Sequence, residues 1–160
     1  MSAGAHRRIR LTPPSPGAAL DVLVADDSLV NRRLIEVILE RLGHHVHGVA
    51  NGREALEAVA GRPFDVVLMD IQMPVMDGLE AMRQLCATYS EFERPWIITV
   101  TANTDDDNRR ACFAAGADDY LAKPVHTAAL EAALSEAFRR DRGAAASAAG
   151  RSMIGGQRHS

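Results

Sequence analysis

Short, nearly continuous apolar runs alternate along this chain with stretches whose apolar residues recur every three or four positions. The runs are Val22-Leu23-Val24, Val46 to Val49, Val66 to Met69, Trp96 to Val100 and Tyr120-Leu121. β-Branched residues recur in them, as expected of strands buried on both faces. The first helical stretch between them carries Leu34, Ile35, Ile38 and Leu42 and stops at Gly43. The second opens on Asn51 with Glu54 three residues on, a capping-box-like start. The third opens at Asp77 and repeats Leu79, Met82, Leu85 and Cys86. The fourth opens near Thr104 and runs through Asp105, Asp106 and Asp107, acids that suit a helix N-terminus. The fifth opens at Thr127 and shows Leu130, Ala133, Leu134, Ala137 and Phe138.

Strict alternation of five strands and five helices predicts an α/β fold with a parallel sheet covered on both faces. Right-handed crossovers and the length favour a flavodoxin-like doubly wound (βα)5 architecture, strand order 2-1-3-4-5, with a site at the carboxyl ends of the strands. The folded unit is expected over 20–141. Residues 1–19, rich in Pro, Gly, Ala and Arg, read as a disordered arm or linker, and 142–160 as a flexible tail.

Composition narrows the function classes. The 160 residues suit one domain with tails, and 47% apolar with 24% charged residues is ordinary for a globular protein. A net charge of −3 and a pI near 6.0 give no basic footprint for nucleic acid. No run reaches the roughly 18–20 apolar residues of a membrane span, and the N-terminus lacks the apolar region of a signal peptide. Cys86 and Cys112 lack CxxC spacing. A reduced, cytoplasmic protein is the expectation.

The residues just past each strand carry the chemistry. Asp26-Asp27 follow the first strand, Asp70 ends the third, Thr101 ends the fourth, and Lys123-Pro124 follow the fifth. In a parallel sheet these converge on one rim. Two carboxylates about 4 Å apart repel by about 4 kcal/mol at an effective dielectric near 20, so a proton or cation must relieve them. All-oxygen ligands completed by waters and phosphate oxygens suit Mg²⁺. Lys123 can neutralise an acid at rest and an added phosphoryl oxygen later, to which Thr101 can donate a hydrogen bond.

The runs VLVADDS, VVLMDIQMPVMDGLEAM, IITVTAN and AGADDYLAKPV, in that order, resemble the receiver (response-regulator) domains of two-component signalling, over about 120 residues. The phrases MDIQMPVMDG and AAGADDYLAKP are most similar to receivers of hybrid histidine kinases. The resemblance implies that Asp70 is the phosphoacceptor, Asp27 a direct magnesium ligand, and Asp26 an acid that positions the ion through water. It implies that Gln72 offers its backbone carbonyl, that Thr101 is the switch hydroxyl and Lys123 the phosphate-pairing lysine. Tyr120 matches the aromatic rotamer switch and Lys123-Pro124 the family's cis bond. Gln72 and Asn103 are placed to tune dephosphorylation. The implied phosphoryl donor is a histidine kinase or histidine phosphotransfer protein, and the expected role is a phosphoacceptor rather than an enzyme on external substrates.

Other readings compete. Asp26-Asp27 or Ser28 could simply cap a helix, Thr101 could satisfy backbone groups, and Tyr120 could be ordinary packing. His45 and His47 share a strand face, but no third ligand accompanies them. A haloacid-dehalogenase-type hydrolase would want a second acid two residues after the nucleophile, where Gln72 stands. A dinucleotide site would want G-x-G-x-x-G. A non-phosphorylated binding module conflicts with the complete set Asp26, Asp27, Asp70, Thr101 and Lys123. Within the family, a stand-alone receiver, a relay intermediate and the receiver portion of a hybrid kinase all remain open.

Overall fold

The structure, a computed structural model, describes residues 18–139. The expected arm over 1–19, apart from residues 18 and 19, and the expected tail over 142–160 lie outside the described residues. Five strands alternate with five helices: β1 (Asp21–Ala25), α1 (Leu29–Arg41), β2 (His45–Val49), α2 (Gly52–Gly61), β3 (Val66–Asp70), α3 (Gly78–Thr88), β4 (Trp96–Thr101), α4 (Asp106–Ala115), β5 (Asp119–Ala122) and α5 over 127–139. All pairings are parallel and the order is β2-β1-β3-β4-β5, the flavodoxin-like doubly wound arrangement expected from the pattern.

The two-residue strand period splits the core into two layers. Leu23, Val67, Met69 and Ile97 point to one face, with Ala55, Val59, Met82, Leu85 and Cys112 of α2, α3 and α4. Val22, Val24, Leu68 and Ile98 point to the other, where Ile35 and Leu39 of α1 and Leu130 and Leu134 of α5 cover them. Every residue of β3 is buried, which places its last residue, Asp70, at the centre of the sheet's carboxyl edge.

Local chemistry starts each helix. Ser28, Asn51, Asp77 and Asp105 each accept a hydrogen bond from the backbone N–H three residues on. At α2 the reciprocal bond is shifted by one residue, because Glu54 Oε1 accepts from Ala50 N at 2.8 Å. The cap of α4 is Asp105, one residue later than the pattern suggested.

One core expectation is corrected. Leu34 is 49% exposed, and the buried stripe of α1 is Ile35 and Leu39. The first turns of α1 rise from the rim where β1 ends, so Leu34 lines a groove with Lys123, Pro124 and Val125 instead of entering the core. In α4, Ala111 is only half-buried, and Cys112 and Ala115 alone make its buried face. His45 and His47 do share an exposed face of β2. Among the described residues they join no cluster of three ligating side chains, and His47 instead stands 6.2 Å from the Phe64 ring.

Candidate functional site

Two neighbouring strand ends, those of β1 and β3, bring Asp26, Asp27 and Asp70 together, each offering a carboxylate oxygen within 4.8 Å of the others. Asp26 is fixed on several sides. Its N–H donates to Val49 O at 3.1 Å, Ser28 N donates to its Oδ1 at 2.9 Å, and its side chain is 2% exposed. Asp27, one residue on, is exposed. Lys123 Nζ stands 3.2 Å from Asp26 Oδ2 and 3.2 Å from Asp70 Oδ1, bridging the two buried acids.

Burial pushes the Asp70 carboxyl above the ordinary aspartate range; Lys123 opposes this and Asp26 adds to it. Burial works against the charge on Lys123, but Asp70 and Asp26 outweigh it and hold its pKa above that of an ordinary lysine. Two acids share one cation here while a third stands beside them. Asp26 Oδ2 is buried and, although paired in charge with Lys123, accepts no aligned hydrogen bond. A clustered, oxygen-only donor set with more carboxylates than cations fits a hard divalent cation.

Backbone packing holds Asp70. A Cβ on Gly78, the first residue of α3, would fall 2.1 Å from Asp70 O. Gly78 N donates to Ile71 O at 2.8 Å. The glycine lets α3 begin directly against the end of β3.

Thr101 is buried at the end of β4, and Lys123 N donates to its carbonyl at 2.9 Å. Its hydroxyl is engaged with the following loop: Oγ1 accepts from Asn103 N at 3.0 Å and from Asn108 Nδ2 at 3.4 Å. Tyr120 is half-buried, and its hydroxyl donates to Asn103 O at 3.3 Å. The Arg109 guanidinium lies 5.4 Å from the centre of the Tyr120 ring. Gln72 and Asn103 are exposed at the rim. The Lys123-Pro124 bond is cis.

A model of the response regulator receiver domain matches residues 22–135. The chain belongs to this family. It is a receiver module of two-component signalling, a phosphoacceptor rather than an enzyme of the ordinary kind. Over 124 residues it is 41% identical to the sensor histidine kinase GacS of Pseudomonas protegens, covering 74% of this chain and 13% of the kinase. It is 36% identical over 122 residues to the histidine-protein kinase BarA of Escherichia coli K12, covering 75% of this chain and 13% of that one. This receiver thus spans about an eighth of the length of these kinases. Among solved structures, the magnesium-bound receiver domain of the sensor histidine kinase PA1611 from Pseudomonas aeruginosa PAO1 is 37% identical. Its TM-score is 0.69, over 76% of this chain and 98% of that one. The chemotaxis protein CheY4 of Vibrio cholerae is 32% identical with a TM-score of 0.69, over 75% of this chain and 99% of that one.

Sequence reasoning missed two residues at this receiver's site. Asn108 Nδ2 donates to Asn103 O at 2.6 Å as well as to Thr101, tying α4 to the end of β4. Arg32 Nη1 donates to Asp26 O at 2.8 Å. Neither has a motif signal, since each acts on backbone or on a hydroxyl brought near only by folding.

Proposed function

We propose that Asp70 takes a phosphoryl group from a phosphohistidine of a histidine kinase or histidine phosphotransfer protein. A carboxylate oxygen of Asp70 attacks phosphorus, the P–N bond breaks with its electron pair leaving on the imidazole nitrogen, and an acyl phosphate forms. The observation that carries this reading is the bridging of Asp26 and Asp70 by Lys123 beside a third carboxylate. Lys123 leaves one acid to pair with an incoming phosphoryl oxygen, and Thr101 turns to donate to another. Asp27 and Asp70 would hold magnesium directly with the Gln72 carbonyl, and Asp26 would orient its water. When bound there, the ion screens the carboxylates and the phosphoryl oxygens. Hydrolysis of the acyl phosphate by the receiver itself ends the signal.

A protein donor is supported by the apolar start of α1. Leu29 is 66%, Val30 78% and Leu34 49% exposed, and Leu34 shares its groove with Lys123. Kinship with GacS and BarA supports a place in a hybrid-kinase relay, working in the cytoplasm. No helix among the described residues is long and apolar enough to cross a membrane.

The test is incubation with acetyl phosphate and Mg²⁺ followed by intact mass. Wild type should gain a phosphoryl group, Asp70→Asn none, and Asp27→Ala should lose both uptake and Mg²⁺ binding. An adduct on Asp70→Asn equal to wild type, or undiminished uptake in excess EDTA, overturns the assignment. Val30→Asp should slow transfer from a phosphorylated histidine phosphotransfer protein by about tenfold while leaving acetyl phosphate uptake unchanged.

A further inference from the structure

We propose that Arg32 is a positioning residue for magnesium binding, acting through the backbone that joins Asp26 to Asp27. The inference rests on the reading of Asp27 and Asp70 as the magnesium-holding acids. Arg32 lies one turn into α1, with a side chain 19% exposed, and its Nη1 donates to Asp26 O at 2.8 Å. That carbonyl belongs to the planar peptide whose nitrogen is Asp27 N. Fixing the plane therefore fixes the direction in which the exposed Asp27 side chain leaves the backbone. On its other side the same segment is tied to β2, where Asp26 N donates to Val49 O.

Arg32 is itself braced. Glu36 Oε2 stands 3.9 Å from Arg32 Nε, and the Glu36 side chain is 16% exposed. Glu36 lies over Gly48 of β2, where an added Cβ would fall 2.0 Å from Glu36 Oε2 and 3.0 Å from Arg32 Cδ. The absence of a side chain at 48 is thus what lets the Arg32–Glu36 pair lie flat against the sheet edge. A charge-bearing guanidinium on a carbonyl makes a strong, directional bond. Groups that orient first ligands in this way are worth about 10- to 100-fold in metal affinity.

The experiment is isothermal titration of Mg²⁺ into the unphosphorylated full chain, with thermal unfolding followed in parallel. Arg32→Met keeps the apolar stem and removes the donor. It should weaken Mg²⁺ binding about tenfold or more. Acetyl phosphate uptake should need correspondingly more Mg²⁺ yet reach the wild-type extent at saturation. Arg32→Lys should recover part of the affinity. Gly48→Ala, which displaces Glu36 and presses on the Arg32 stem, should weaken Mg²⁺ binding more than twofold but less than Arg32→Met. A merely structural role would lower the unfolding temperature with Mg²⁺ affinity unchanged. Arg32→Met within twofold of wild type overturns the inference; should that variant not fold, Gly48→Ala within twofold does so. A wild-type chain that takes up no Mg²⁺ sinks the functional reading itself and this inference with it.

Discussion

The hydroxyl of Tyr120 donates to the carbonyl oxygen of Asn103 at 3.3 Å, so the aromatic of β5 is tied to the loop that the Thr101 hydroxyl also holds. A phosphoryl group on Asp70 adds about −1.5 to −2 charge beside Thr101 and Lys123. Turning Thr101 toward it would break the Oγ1 bonds to Asn103 and Asn108 and free the loop that Tyr120 grips. Because α4 buries only Cys112 and Ala115, it is held weakly enough to follow. Amide exchange or NMR shifts with beryllofluoride should therefore change across residues 101–126. Changes confined to Asp26, Asp27 and Asp70 would place the output surface elsewhere.

Signal lifetime should depend on Gln72 and Asn103. Both are exposed at the rim, two residues past Asp70 and two past Thr101, where an amide can hold a hydrolytic water. Replacing both with Leu should slow loss of the phosphoryl group several-fold without blocking its uptake. Decay at the wild-type rate in the double variant, followed by intact mass over time, would contradict this.

Asp70 should lower stability at neutral pH. Burial raises its folded pKa above 3.8. Its contribution is thus fully present below the ordinary pKa and lost as pH rises through the raised one, because the folded chain then binds a proton that the unfolded chain does not. Asp70→Asn carries no such charge, and Lys123 keeps Asp26 as a partner. At pH 7 it should melt above wild type. The gap should close as pH falls toward 3.8. Circular dichroism melts across that range check the sign, and a wild type as stable as the variant at pH 7 would refute it.

Val75 sits at φ 70 with 76% of its surface exposed, in a tight turn where Met76 N donates to Pro74 O at 2.7 Å. The bond closes a γ-turn on Val75 at positive φ, which is strained for a β-branched residue and open to glycine. Val75→Gly loses little packing and should unfold at a higher urea midpoint than wild type. Urea unfolding measures it, and a lower midpoint for the variant would count against the strain.

Much of this receiver is decided within a few residues of chain. The apolar runs became β1 to β5, and Ser28, Asn51, Asp77 and Asp105 cap helices by bonds that span three residues, so neither needs the rest of the fold. Strict alternation left one economical sheet order, and that order puts Asp26, Asp27, Asp70, Thr101 and Lys123 on one edge. What the tertiary structure decided depends on how closely distant segments approach. Leu34 has the right period for a core yet overhangs the rim, because the sheet ends beneath it. The Thr101 hydroxyl faces Asn103 and Asn108 because the loop into α4 folds back over it. The bond from Arg32 to Asp26 needs both the turn into α1 and the vacant space above Gly48 of β2. Periodicity records which face a residue prefers; only packing sets the distance across which a guanidinium meets a carbonyl.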